Sequence, residues 1–576
     1  MDRTERLLER GYFPSQLPPC FKTKDLAAIH GALYASWLTL QQAPKKGAKI
    51  PKAPDSKGER FSVARAGYQR RLTSIPNPVA QTYLATHVVA NWPQLLGHYR
   101  QSKLSASRPR FLRNGERGAN IPSMQLLYER KVLRAAGYRF MLKTDISRFF
   151  PTIYTHSVPW ALHGKAAAKR NRAPTAKYYG NLLDLSLRQC QDGQTMGLPI
   201  GPDTSHVIAE AIATSVDLEL RRRLRGYPAG FRYVDDFFLF FSTMEEAEAG
   251  LAALTRALQE FELHINVEKT ITCSVLEISD DYWPHQLRSF TIGKDGRKQL
   301  TDIHHFFELA KDLARKNTDE NVMAYALKRA SAVIIRKDNW PVFEAHLCHV
   351  VLAYPNTLQN FARILSTYAD VGYRIDKERL ERLVNSILEE HAPLEHHSEV
   401  AWCLWICKKL VLTLSAANVD RVSDMHSSIC ALILLDLDAS GRLPKPPRMT
   451  YWKSVETTAS LHDDLWLLSY EAGVRRWGGF SDVHVVADPH FNLLAILGVR
   501  FYDENGELTP IFQAKPRALQ QTGLGLVSDL FDLADVDEYV TYMDGYGGYE
   551  GGIFFDDDDE DDEPHEENHD EDEPYF

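Results

Sequence analysis

A chain of 576 residues exceeds what one ordinary core holds, so at least two domains are expected. With 44% hydrophobic and 25% charged residues and no run near the ~20 apolar residues of a bilayer span, the composition is that of a soluble globular protein, not a membrane one. The net charge of −9 averages two opposed parts: residues 1–200 carry 32 Lys/Arg against 11 Asp/Glu, and residues 301–576 carry 24 against 49. A basic half beside an acidic half suggests a polyanion-binding module joined to something else. Met1 to Arg10 is charged rather than apolar, so no secretory signal is expected. Seven scattered cysteines show no paired metal spacing and read as reduced core thiols of a cytosolic protein.

In chain order, Met1 to Gln42 reads as a short helix, a Pro-broken stretch and a second helix, followed by a Lys-, Pro- and Gly-rich loop over Ala43 to Lys57. Residues 76–104 have helical periodicity, and the four arginines of Arg108 to Arg117 suggest an exposed basic loop. Phe140 to Asp145 reads as a buried strand ending in a carboxylate. Helices are expected over 178–190, 203–224 and 244–261, a hairpin over Gly230 to Ser242, and a strand over His264 to Thr272. Beyond Thr301 the pattern turns helical, with stretches at 302–316, 320–336, 340–353, 356–370, 377–391, 397–414 and 418–437 suggesting a helical-repeat array. Val483 to Ala487 and Leu493 to Tyr502 look strand-like, and 14 of the residues from Asp556 to Glu573 are acidic. That tail reads as a solvated extension, with an electrostatic mimic of nucleic acid as the sharper alternative. The expected division is a helical N-terminal extension (1–75), a mixed α+β unit (76–300), an α-helical repeat domain (301–480), a small mixed segment (481–550) and the acidic tail (551–576).

Two adjacent aspartates, Asp235 and Asp236, inside an apolar hairpin are costly unless a cation neutralises them. Hard divalent ions prefer carboxylate oxygens, and Asp145, at a strand end 90 residues earlier, offers a third. Such a set can hold two ions that activate a 3′-hydroxyl and stabilise leaving pyrophosphate.

The surrounding residues make the resemblance specific. Thr144-Asp145-Ile146-Ser147-Arg148-Phe149-Phe150 resembles polymerase motif A of reverse transcriptases, and Gly197-Leu198-Pro199-Ile200-Gly201-Pro202 resembles motif B. Tyr233-Val234-Asp235-Asp236 resembles motif C, and Leu263 to Thr270 resembles motif D. Arg10-Gly11-Tyr12-Phe13-Pro14, Leu17-Pro18-Pro19-Cys20-Phe21, Ile75-Pro76-Asn77-Pro78 and the later helical stretch around Trp402 and Trp405 are similar to bacterial abortive-infection and other defence-associated reverse transcriptases.

That resemblance implies an α+β right-hand polymerase, with fingers and palm, followed by an all-α helical-repeat C-terminal domain. It implies two Mg²⁺ ions, or Mn²⁺ in their place, on Asp145, Asp235 and Asp236. Phe150 becomes the steric gate against a ribose 2′-hydroxyl, and Pro199, Gly201, Tyr233 and Lys269 become contacts to the incoming dNTP. Arg110, Arg113 and Arg117 are candidates for nucleic-acid phosphates. Ile200 departs from the glutamine common in templated relatives, which puts ordinary copying in doubt. Family members act in cytoplasmic antiphage defence; some prime from a protein hydroxyl without a template and others copy a non-coding RNA. Homo-oligomers and a second defence polymerase are further partners the resemblance implies. Candidate priming tyrosines are Tyr12, Tyr34, Tyr539, Tyr542, Tyr546 and Tyr549, each of which reads more simply as a packing or surface residue. His304, His305, His396 and His397 are expected on helix surfaces. A retron-like or mobile-element reverse transcriptase making plain cDNA, and a catalytically silent nucleic-acid-binding scaffold, are the competing readings.

Overall fold

The computed structural model describes residues 1–40, 52–67, 69–122, 126–277, 283–514 and 540–542. The chain opens with α1 (Arg3–Glu9), closed at its start by an Asp2/Glu5 capping box, and α2 (Lys24–Leu40). Next comes an antiparallel hairpin of β1 (Glu59–Ala64) and β2 (Arg70–Ile75), pairing Glu59 with Ile75. The expected helical extension therefore also contains a hairpin, whose strands are too rich in arginine to show an apolar alternation. Asn77 caps α3 (Pro78–Ala90), with proline at the first helical position. Helices α4 (Trp92–Tyr99) and α5 (Leu126–Ala135) lead to β3 (Phe140–Asp145). Four short helices follow, α6 (Phe149–Thr152), α7 (Ser157–His163), α8 (Lys165–Arg170) and α9 (Tyr179–Gln189), then the long α10 (Asp203–Leu224). Strands β4 (Ala229–Tyr233) and β5 (Asp236–Phe241), helix α11 (Met244–Gln259) and β6 (Ile271–Ser274) complete an antiparallel sheet of order β4-β5-β3-β6. The strand expected over 264–272 begins only at Ile271, because Val267–Lys269 forms a 3₁₀ turn.

The rest is helical: α12 (Trp283–Ser289), α13 (Gly296–Lys316), α14 (Val322–Ala330), α15 (Trp340–Ala353), α16 (Leu358–Asp370), α17 (Lys377–His391) and α18 (His397–Leu410). The single helix expected over 418–437 is two, α19 (Ala416–Ser423) and α20 (Ser428–Ala439), because the Ser427 hydroxyl accepts from the Cys430 amide and starts a new helix. After α21 (Trp466–Arg475), the first strand-like stretch is helical throughout and the second at its start. Val483–Ala487 is α22, and α23 runs Pro489–Ile496 from an Asp488 cap, leaving 497–502 irregular. Strands β7 (Phe512–Ala514) and β8 (Val540–Tyr542) pair antiparallel. The acidic tail, most of the loop after Gln42, and Tyr539, Tyr546 and Tyr549 lie outside the described residues. Among the described residues no helix is long and apolar enough to cross a membrane.

One contiguous core runs from Leu7 to Phe512. The chain start is built into it: Tyr12 is fully buried with its hydroxyl on the Pro76 carbonyl, and the Lys22 amide donates to Phe501 O at 2.9 Å. The indole of Trp466 reaches Ile75 O at 3.1 Å, and Asn77 Nδ2 reaches Leu461 O at 2.8 Å. The indole and the amide each donate to a backbone carbonyl more than 380 residues away in sequence. These contacts seat β1 and β2 between the mixed sheet and the helical region.

Candidate active site

Strand β3 ends on Asp145 directly opposite Asp236, the first residue of β5, and Asp235 occupies the β4–β5 turn. Val234, beside it, has φ +56°, a conformation a β-branched residue adopts only under strain. Three hydrogen bonds over-determine this turn. The Val234 amide donates to Ser107 Oγ at 2.7 Å, Arg232 Nη1 donates to Val234 O at 2.8 Å, and the Ile146 amide donates to Asp235 O at 3.1 Å. Arg232 is fully buried between Glu210 and Asp217 of α10, with contacts of 2.9–3.1 Å to both. Ser105 and Ser102 hydroxyls complete the set on Glu210 and Asp217. A buried cation between two carboxylates, all hydrogen-bonded, fixes the hairpin to the long helix behind it.

The aspartates themselves are under-compensated. Burial, then the charges of Asp236 and Asp145, push Asp235 up to about 6. Burial and Asp145 likewise raise Asp236. Lys269 Nζ lies 3.1 Å from Asp145 Oδ2, on a side chain 70% exposed, while Asp145 Oδ1 is buried without a hydrogen-bond partner. Raised carboxylates and an orphaned buried oxygen suit a hard divalent cation. The three do not converge tightly in this arrangement: among the described residues the groups whose ligand atoms all lie within 4.8 Å are His391/His396/Glu399 and His462/Asp488/His490.

Asp235, Asp236, Tyr233, Phe150, Pro199 and Ile200 are among the residues that line a cavity of about 1490 Å³. The Phe150 ring packs edge-on to His206, centroids 4.9 Å apart, and the Tyr233 hydroxyl donates to Pro122 O at 2.9 Å. Gly201 is not at the cavity; at φ +130° its missing Cβ makes room for Pro14 and the Ser74 carbonyl, so its glycine serves packing. Arg117 is not there either, since it holds Asp203 at 2.6 Å, Gly201 O and Phe13 O. Arg110 pairs with Asn120 through its backbone and Arg113 is exposed, both away from the cavity.

The basic wall comes from the β1–β2 hairpin, where Arg60, Arg65, Arg70 and Arg71 line the same cavity as Asp235 and Asp236. Burial and Arg65 lower the pKa of Arg71, which the Asp235 charge partly offsets. Sequence reading missed this wall; the signal was the run Arg60, Arg65, Arg70, Arg71 just ahead of Ile75-Pro76-Asn77-Pro78. Of the proposed priming tyrosines, Tyr12 is fully buried and Tyr34 partly so. His397 is not a surface residue: it is buried, lines the cavity and accepts from the Ser62 amide at 3.3 Å.

Residues 90–300 match the family model of the reverse transcriptase (RNA-dependent DNA polymerase). No curated protein matches the chain. Among solved structures it is similar to apo telomerase from Candida tropicalis truncated from its C-terminal domain, at 12% identity and TM-score 0.30, covering 44% of this chain and 56% of that one. It is also similar to apo telomerase from Candida tropicalis, at 10% identity and TM-score 0.30 over 67% of this chain and 70% of that one. A third is telomerase from Candida albicans in complex with the TWJ fragment of telomeric RNA, at 11% identity and TM-score 0.29 over 66% and 68%. The chain thus spans just over half the length of the first of these. Residues 90–300, which contain all three aspartates and the Phe150 to Ile200 part of the cavity lining, carry the match to a reverse transcriptase domain.

Proposed function

We propose that the chain extends DNA by adding dNTPs at Asp145, Asp235 and Asp236, by a two-metal mechanism, in bacterial antiphage defence. The observation that carries the polymerase reading is one cavity lined both by the aspartate turn and by the arginine hairpin. In this reading Asp145, Asp235 and Asp236 hold the ions, Mg²⁺ or Mn²⁺. Those ions, when bound, supply activation of the primer hydroxyl and neutralisation of the leaving pyrophosphate. Arg65 and Arg71 hold the triphosphate, with Lys269 beside Asp145. Phe150 closes the wall against which a 2′-hydroxyl would press. Ile200 offers no hydrogen bond to the nascent base pair, so nucleotide order is instructed less conventionally than by a glutamine contact. The defence role is supported by the resemblance of the N-terminal motifs and the helical C-terminal region.

Purified protein given Mg²⁺ and labelled dNTPs is expected to incorporate label into DNA, and Asp235→Ala to reduce incorporation to background. Label retained by Asp235→Ala would overturn the assignment. Sequencing the product and testing its attachment to protein after denaturation distinguishes RNA copying, protein priming and untemplated addition. Phage challenge of bacteria expressing the wild type and Asp235→Ala tests the defence role: equal plaque numbers would remove it.

A further inference from the structure

Next to Arg70 of the arginine hairpin, three potential ligands converge at the junction of α17 and α18. Nδ1 of His391 and Nδ1 of His396 lie 2.8 Å apart, and Glu399 Oε1 lies 3.9 and 3.7 Å from them. Two imidazole nitrogens at that distance cannot both present lone pairs unless a proton or a cation sits between them. Ligands about 2.0–2.1 Å from a tetrahedral ion stand roughly 3.3–3.4 Å from one another, so the three observed separations bracket those of a bound ion. The group is enclosed: His391 and Glu399 side chains are 10% and 1% exposed, and His396 is 23% exposed. Glu399 is held in place by Arg70, whose Nη1 donates to the same Oε1 at 2.6 Å and whose Nη2 donates to Oε2 at 2.9 Å, and by the Ser398 hydroxyl, which donates to Oε2 at 2.7 Å. Ligating carboxylates are commonly oriented by such outer hydrogen bonds.

We propose that His391, His396 and Glu399 bind one divalent transition-metal ion of the zinc class, separate from the polymerase ions. Two imidazoles and a carboxylate select zinc-like ions over Mg²⁺, which prefers all-oxygen surroundings. The site also has a mechanical consequence. Residues 397–399 clamp the β1–β2 hairpin: the Ser62 amide donates to His397 Nδ1, the Ala64 amide to Ser398 Oγ, and Arg70 to Glu399. An ion joining the end of α17 to the first turn of α18 stiffens the clamp that holds the cavity's basic wall.

The test is Co²⁺ titration of the full-length, metal-stripped protein in excess Mg²⁺, which occupies the aspartates, read by visible absorption of tetrahedral cobalt and by metal analysis. One equivalent is expected, displaced by Zn²⁺. His391→Ala and His396→Gln should each weaken it at least tenfold, and Arg70→Gln by about 10–100-fold. His462→Ala, at the other His/Asp cluster, should leave it unchanged. Circular dichroism and melting identify any variant that does not fold, and His396→Gln, at the most exposed ligand, gives the same readout if His391→Ala fails. Absence of bound cobalt, binding indifferent to His396→Gln in folded protein, or loss only in His462→Ala would overturn the proposal and leave a proton-sharing histidine pair beside an ion pair.

Discussion

The two walls of the cavity carry opposite charge and are held in opposite ways. The aspartate wall is fastened from within its own unit, through Arg232, Glu210, Asp217, Ser102, Ser105 and Ser107, all between residues 102 and 232. The arginine wall is fastened across more than 300 residues of sequence, by Ser62, Ala64 and Arg70 on the 397–399 segment. The aspartate turn thus rests on a closed buried network, while the arginine hairpin depends on a clamp from the helical region. Chemistry and substrate holding can therefore be damaged separately.

The largest effect is expected where the network is opened. Arg232→Met leaves Glu210 and Asp217 buried without their cation, which should cost about 3–5 kcal/mol in chemical denaturation. Adding Glu210→Gln and Asp217→Asn should recover much of that loss, because the uncompensated charges are what destabilise. If Arg232→Met is nearly neutral alone, the closed-network account of the aspartate wall is wrong. The corresponding break in the other wall is Arg70→Gln. Arg70 is 23% exposed, so a smaller loss of about 2 kcal/mol is expected, with KM for dNTP rising severalfold and kcat little changed, in Mg²⁺ alone. A fall in kcat with unchanged KM would show that the two walls are not separable.

These two walls also differ in how far they could be read in advance. Asp145, the turn at Val234-Asp235 and the helix 203–224 were legible because each is declared locally: a strand of six residues ending in a carboxylate, an apolar hairpin, an unbroken helical run. The hairpin of β1 and β2 was not, since Arg60, Arg65, Arg70 and Arg71 obscure its period and its partners lie beyond residue 396. Val483–Ala487 misled for the related reason that a β-branched run looks like a strand, whereas Asp482 and Asp488 bracket it and Asp488 caps the next helix. The contacts of Arg117 with Asp203 and of Gly201 with Pro14 were not legible either, because sequence spacing does not say which face packs against which.

Next in size is the aspartates' mutual repulsion. Asp235 titrates near 6 in the fold, above its unfolded value, so between about pH 4 and 6 the folded state holds a proton the unfolded state has lost. Stability of metal-free protein should therefore fall as pH rises through that window, by roughly 2–3 kcal/mol, and remain lower at neutral pH. Asp235→Asn should flatten this dependence and raise stability at pH 7.5 by about 2 kcal/mol while abolishing incorporation. Mg²⁺ should narrow the gap between the two proteins. A wild type whose melting temperature climbs monotonically from pH 4 to 7 would contradict the raised Asp235.

The smallest effect separates electrostatic support from fold support. Lys269 is 70% exposed, and a pair so open to solvent contributes on the order of 0–1 kcal/mol. Lys269→Met should change denaturation free energy by less than about 0.5 kcal/mol, and raised salt should hardly alter that difference. Incorporation should fall far more than stability, since Lys269 stands beside Asp145 at the edge of the aspartate wall. Because Asp145 Oδ1 is buried and unpartnered whether or not the lysine is present, the variant still has an oxygen to offer an ion. Raising Mg²⁺ should therefore restore part of the activity of Lys269→Met but none of that of Asp235→Asn. Equal loss in both, unmoved by Mg²⁺, would place Lys269 among the groups the reaction requires rather than beside them.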